Sequence, residues 1–264
     1  MTTKKKHTVL AVKDLSIGYR SKKSMSVIEK NISFSLSTGE LAAVTGPNGI
    51  GKSTLLRTLA GIQPALSGDI FLHKTRLEQY TSSGLASKLS LVLTEQPPSR
   101  NLTVGEVVAL GRHPYTNWMG TLTSSDSEKI KESLQLVNIH SLQHKKCFEL
   151  SDGQLQKVMI ARALAQDTPL IILDEPTTHL DIYHKAYILK LLKHIAHETG
   201  KTILFSSHEI ELAIQLCDYM LVMQDSGTAF GEPCELIENG CFTSLFPEDL
   251  IKFDKNTGSF RIQK

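Results

Sequence analysis

The sequence predicts an α/β fold built around a parallel sheet, and three observations carry that expectation. LIILDE, Leu170 to Glu175, is a near-continuous aliphatic run, the pattern of a strand buried on both faces. Beyond it AYILKLLKHIAHE, TILFSS, IELAIQLCD and YMLVMQ read as helix, strand, helix and strand, the alternation that builds parallel sheets. Upstream, ELAAVTG passes through a glycine-rich turn into STLLRTLAGI, an apolar helical stripe closed by Gly61.

The remaining elements follow in order. TVLAVKDLSIGY and SVIEKNISFSL are short strands preceding ELAAVTG. GDIFLH and SLVLT are two more, the second running out through Thr94, Glu95 and Gln96 into a pair of prolines that suits a hinge. From Val104 to about Lys146 the periodicity is mainly helical. In SDSEKIKESLQLVNI the expected cap is Ser125 or Asp126. Arg112-His113-Pro114-Tyr115 reads by itself as an exposed turn. A helix is expected from about Gly153 to Ala165, and Asp225-Ser226-Gly227 opens a polar hairpin. Neither repeats nor low-complexity segments interrupt the pattern.

Bulk properties narrow the function. A chain of 264 residues can bury a substantial core, and a net charge of +2 does not favour a dedicated nucleic-acid binder. Lys4-Lys5-Lys6 reads as a solvated tail. No stretch reaches the ~20 apolar residues of a membrane helix, and MTTKKKHTVL lacks a secretory apolar region. Cys147, Cys217, Cys234 and Cys241 have no paired spacing, as in a reducing compartment. His194 and His197 can share a helix face, but without a further ligand they read as solvated rather than metal-binding. A soluble cytoplasmic protein is expected.

The chemistry concentrates in three motifs. GPNGIGKST (Gly46, Pro47, Asn48, Gly49, Ile50, Gly51, Lys52, Ser53 and Thr54) matches GxxxxGK[ST] between a predicted strand and a predicted helix. Its glycines let backbone N–H groups surround phosphates at a helix N-terminus. Lys52 can reach the β and γ phosphates, and Ser53 can offer a hydroxyl to Mg²⁺. Asp174 ends the buried LIIL strand, where ligands of open α/β sheets bind, and a carboxylate there can hold hydrated Mg²⁺. Glu175 is placed to act as general base toward a water. LSDGQ, Leu150 to Gln154, puts Ser151 and Gly153 at another helix start, a second anion-binding end for one nucleotide.

This combination resembles the nucleotide-binding subunit of ATP-binding cassette (ABC) transporters over nearly the whole chain. The resemblance implies a P-loop NTPase core of the ABC type, with a parallel sheet, an N-terminal antiparallel β subdomain and an α-helical insertion. Residues 1–264 would form one such domain, with the insertion at about 97–158 and a C-terminal extension at about 235–264. It implies ATP and Mg²⁺ as cofactors and a homodimer in which the signature loop of one protomer, Ser151, Gly153 and Gln154, closes over ATP held by the other. Tyr19 matches the aromatic that stacks on adenine. Asp181 in THLD matches the loop linking the two sites, and His208 in SSHE the switch histidine that contacts the γ-phosphate.

The family's strand after the phosphate loop ends on a glutamine touching Mg²⁺ and water. Here Glu95 stands at that place in direct alignment, and Gln96 takes it after a one-residue slip. Side chains alternate along an extended segment, so only one of them faces the nucleotide; Glu95, a harder ligand, is the expected one. VALGRHPYTNW, Val108 to Trp118, narrows the resemblance to importers of ferric siderophores, haem and vitamin B12. That implies a separate transmembrane permease docked on the helical region, indirectly an extracytoplasmic substrate-binding protein, and a peripheral location on the cytoplasmic face of the membrane. The rival reading is a non-transport cassette ATPase such as one assisting iron–sulfur cluster assembly.

Overall fold

Alternating burial builds the first sheet in the computed structural model, which describes residues 7–21, 24–93, 99–247 and 249–263. Strand β1 (Thr8–Arg20) buries Leu10, Val12, Leu15 and Ile17, and β2 (Met25–Ser37) buries Ile32, Phe34 and Leu36 at every second position. That is the pattern of an antiparallel sheet with one solvated face. β3 (Leu41–Thr45) is instead buried at all five positions and leads through the glycine-rich loop into α1 (Lys52–Leu59). β4 (Ser67–Leu72) and β5 (Thr75–Arg76) complete the antiparallel sheet in the order β2-β1-β4-β5.

After α2 (Ser82–Ala86), β6 (Leu89–Val92) starts the far edge of the main sheet. Three helices follow: α3 (Val104–Ala109), α4 (Ser124–Leu136) and α5 (Asp152–Ala165). The chain then alternates through β7 (Leu170–Leu173), α6 (Ile182–Thr199), β8 (Thr202–Ser206), α7 (Ile210–Leu216) and β9 (Tyr219–Gln224), and turns back as β10 (Gly227–Gly231). The six-stranded sheet has the order β10-β9-β3-β8-β7-β6. Its five strands from β9 to β6 are parallel, and β10 alone is antiparallel. Like β3, strands β7 and β8 are buried throughout, as the aliphatic runs require. Val44 pairs with Ser206 and Leu173 with Phe205, so β3, β7 and β8 end level. That shared edge is where open α/β sheets bind ligands.

The helical block departs from two expectations. Neither Ser125 nor Asp126 caps α4: Thr123 does, accepting from the Asp126 amide at 3.2 Å, while the Asp126 carboxylate returns to the Thr123 amide at 2.8 Å. This reciprocal box satisfies two free helix donors at once. Arg112 is not on an exposed turn either. It is 8 % exposed, and its guanidinium donates to Asp126 Oδ1 and to the Ala165 carbonyl, each at 2.8 Å, while lying 4.1 Å from the Tyr115 ring centre. Gly111 beside it permits the approach, since a Cβ there would stand 2.2 Å from the Arg162 carbonyl oxygen. A polar segment is thereby clamped to the C-terminal end of α5.

The Thr123 hydroxyl and amide, followed by Arg112, hold the Asp126 carboxyl down at about 2, below the ordinary ~3.9. A depressed carboxylate contributes stability above its unfolded value and loses it as pH falls through the folded one. Acidification from about pH 4 toward 2 should therefore loosen the contact between α4 and α5. Hydrogen exchange of α4 amides would show it, and Asp126→Asn should flatten this share of the pH slope. An unchanged slope in that variant would assign the acid sensitivity elsewhere.

The chain ends with α8 (Pro233–Glu238) and a hairpin of β11 (Ile251–Asp254) and β12 (Ser259–Ile262). Phe253 joins Phe242 and Phe260, with ring centres 5.2 and 5.0 Å away, and the Phe260 amide donates to Glu211 on α7 at 2.8 Å. Among the described residues, no helix is long and apolar enough to cross a membrane.

Candidate nucleotide site

Backbone geometry shapes the loop between β3 and α1. Gly46 adopts φ 147° and Gly51 φ 110°, conformations that side chains disfavour. A Cβ on Gly46 would lie 2.4 Å from the Met223 carbonyl oxygen, and one on Gly51 2.5 Å from Ile28. The loop therefore packs against β9 on one side and the antiparallel sheet on the other, and its shape tolerates no substituent at either point. Pro47, Asn48, Gly49 and Ile50 form its turn.

Lys52, the first residue of α1, is 5 % exposed and donates to the Gly46 and Pro47 carbonyls, both at 2.9 Å. Burial lowers its pKa, against the opposing pull of Glu175 and Asp174. A buried ammonium bonded to neutral carbonyls is a charge that an anion would complete. Ser53 donates to Asp174 Oδ1 at 3.0 Å, so a hydroxyl and a carboxylate oxygen already stand side by side. Mg²⁺ takes one or two carboxylates and fills its remaining positions with phosphate oxygens and water, and this pair fits that demand. No cluster of three or more His, Cys, Asp or Glu suited to a metal occurs among the described residues.

Asp174 and Glu175 are separated by their partners. Ser206 at the end of β8 donates to Asp174 Oδ1 at 2.7 Å and accepts from the Glu175 amide at 2.8 Å. Glu175 itself sits at φ 49°, a left-handed conformation that costs a non-glycine residue about 1–3 kcal/mol; the Ser206 bond holds it there. The turn swings the Glu175 carboxylate away from Asp174. Its Oε2 accepts from Thr178 at 3.0 Å, and Oε1 meets His208 Nε2 at 2.7 Å. His208 Nδ1 lies 3.4 Å from Lys52 Nζ. An ammonium can only donate, so Nδ1 accepts and the Nε2 proton points to Glu175. Burial pushes the Glu175 carboxyl up, but His208, Thr178 and Lys52 together bring it below its ordinary value. It is an ionised base at neutral pH, with a histidine touching both it and the lysine.

Asn48, Gly49, Gly51, Lys52, Ser53, Thr54, Glu175 and His208 line one cleft of about 210 Å³. Tyr19, at the end of β1, places its hydroxyl 3.2 Å from Thr54 Oγ1 and is 54 % exposed as a residue, so an aromatic side chain stands at the start of α1.

Ser151, Gly153, Gln154 and Asp181 do not line this cleft. Ser151 caps α5, accepting from the Gln154 amide at 3.3 Å while the Gln154 side chain accepts from the Ser151 amide at 3.1 Å. Asp181 caps α6 through the His184 amide at 2.8 Å. Glu95 and Gln96 lie outside the described residues. Sequence reasoning missed Ser206 and Thr178, the two hydroxyls that hold the acidic pair. Their only signal was position: Ser206 stands two residues before His208, and Thr178 three after Glu175.

A phosphate loop at the head of a parallel sheet, facing a strand-end Asp-Glu pair, defines a P-loop ATPase. Comparison with known proteins places it further: residues 29–178 match the ABC transporter family, and the chain belongs to that family. It is 37 % identical over 256 residues to an uncharacterized ABC transporter ATP-binding protein, MJ0873, of Methanocaldococcus jannaschii, covering 97 % of this chain and 87 % of that one. The iron(3+)-hydroxamate import ATP-binding protein FhuC of Bacillus subtilis is 34 % identical, with 92 % and 86 % covered. Among solved structures, an inward-facing metal-chelate type ABC transporter aligns with a TM-score of 0.78 at 29 % identity, covering 91 % of this chain and 89 % of that one. A dimeric post-hydrolysis state of the ATP-binding cassette MJ0796, bound to ADP and Pi, aligns at 0.72 and 25 % identity, with 85 % and 98 % covered.

Proposed function

We propose that this ATPase powers import of an iron–siderophore or related metal chelate, haem and cobalamin types included, through a separate membrane permease. The observation that carries the reading is a half-built site: the cleft holds Lys52, Ser53, Glu175 and His208, while the family's signature residues lie outside it. A second copy of the chain supplies what is missing. Ser151 and Gly153 of one protomer close over the nucleotide bound by the other, and Asp181 links the two sites.

Within each site Ser53 and Asp174 would hold Mg²⁺, with Glu95 or Gln96 expected as a further contact, and an ion held there would supply positive charge against that developing on the phosphates. Glu175 accepts the proton of the attacking water. His208 turns from Glu175 to the γ-phosphate, freeing Oε1 for that water. Tyr19 offers its ring to adenine. Residues 1–264 act as one domain, in which the helices of about 97–158 receive the permease and the part from about 235 is an extension. The import reading draws on relatives such as FhuC of B. subtilis and the achromobactin transport ATP-binding protein CbrD of Dickeya dadantii, 32 % identical over 92 % of this chain. An extracytoplasmic binding protein would select the cargo.

The test is reconstitution. The purified chain should leave protein-free anionic vesicles unbound at physiological salt and join proteoliposomes only when a chelate-importer permease is present, with ATP turnover rising on addition of the loaded binding protein. Tight binding to bare vesicles, or turnover indifferent to every such permease, would overturn the import role.

A further inference from the structure

The first turn of α6 touches two loops that sequence motifs treat as separate. Asp181 caps this helix, and the His184 side chain closes back on it, with Nδ1 2.9 Å from both carboxylate oxygens. The other side of the same imidazole covers Gly153. A Cβ built on Gly153 would lie 3.1 Å from His184 Cδ2 and within 3.7 Å of Cγ and Nε2. The ring is thus wedged between the Asp181 carboxylate and the backbone of the signature turn. One residue on, Lys185 pairs with Glu209, the neighbour of His208.

We infer that His184 is a positioning residue, which sets the signature turn and Asp181 in one protomer as a single unit for presentation to the opposite nucleotide site. This rests on the two-copy reading above. Asp181 and Ser151 start different helices, and each is half-fixed by its own cap; neither cap relates one loop to the other. The imidazole does, because it donates to one and packs on the other. Through the Lys185–Glu209 ion pair the same turn is tied to the switch loop, so a movement of His208 has a short route to the groups this protomer lends its partner. Gly153 suits this contact as well as close approach to phosphate, since a Cβ there would push the ring aside by a few tenths of an ångström.

The experiment uses the full chain in the Glu175→Gln background, where ATP-driven dimers accumulate, and reads two quantities. One is affinity of the monomer for a fluorescent ATP analogue. The other is the ATP-dependent dimerisation constant from sedimentation. His184→Ala should leave monomer affinity within about twofold and weaken dimerisation at least fivefold, the lower end of usual site–site coupling (about 5- to 150-fold). His184→Asn, which keeps a donor for Asp181, and His184→Phe, which keeps the ring over Gly153, should each recover part of the loss. Unchanged dimerisation in His184→Ala, or equal losses in monomer affinity and dimerisation, would overturn the inference. Absence of an ATP-driven dimer in Glu175→Gln alone would instead remove the two-copy reading on which it stands.

Discussion

Glu175→Gln should bind ATP as the parent does, lose at least about 10²-fold in turnover, the usual worth of a general base, and accumulate as a closed dimer. The geometry explains each part. The amide carbonyl can still accept from Thr178, which holds the carboxylate at 3.0 Å, and the backbone remains fixed by Ser206 at 2.8 Å. What disappears is an ionised oxygen able to take a proton, kept ionised by His208, Thr178 and Lys52 against the effect of burial. Lys52, Ser53 and Asp174 are untouched, so nucleotide binding persists. Rapid-quench hydrolysis with gel filtration in ATP would measure both outcomes. Near-normal hydrolysis would take the base role from Glu175.

Ser151→Arg should have an effect of similar size through a different route. Ser151 is exposed and outside its own protomer's cleft, so the monomer should keep its ATP affinity. The dimer should fail, because a long cation would stand where the proposed shared site sets the hydroxyl against the partner's nucleotide. Turnover should fall at least about tenfold. Loss of the cap costs about 1 kcal/mol, too little to unfold α5, whose inner face is buried from Leu155 to Ala165. Mixed with Lys52→Ala protomers, Ser151→Arg protomers form one composite site with both halves intact, and ATP-dependent closure should recover above either variant alone. Full activity of the Ser151→Arg homodimer would defeat the shared-site reading.

Much of this was readable before any coordinates. The aliphatic run LIIL announces β7, because a strand covered on both faces has no room for polar residues, and ELAAVTG and TILFSS are legible as the strands β3 and β8. GxxxxGK[ST] carries its geometry in its glycines, so Lys52 and Ser53 were placed by motif alone. Ser206 could not be, since its bonds to Asp174 and Glu175 exist only after β7 and β8 pair in one register, Leu173 against Phe205. Arg112 failed for a related reason. GRHPY is locally polar, and the groups that bury it, Asp126 and the Ala165 carbonyl, lie far along the chain. The α4 cap differs for another reason: the T-x-x-D box is visible in the sequence, and it makes Thr123 the cap rather than Ser125 or Asp126, with Asp126 its reciprocal partner at the third helical position.

The strand order carries a consequence for how the protein comes into being. β3, which bears the phosphate loop, lies between β8 and β9, and both are made in the last third of the chain. On a ribosome adding ~5–20 residues per second, the loop waits on the order of ten seconds or more with no neighbour on either edge. Gly46 meanwhile lacks the Met223 carbonyl against which it packs. The antiparallel sheet and the helical block close through nearer contacts and can form earlier. ATP therefore cannot guide the nascent chain from its own N-terminal motif. A message truncated before β8 yields a product that carries the most recognisable nucleotide-binding stretch in the protein and has only the antiparallel sheet, through Ile28 against Gly51, to hold it in shape.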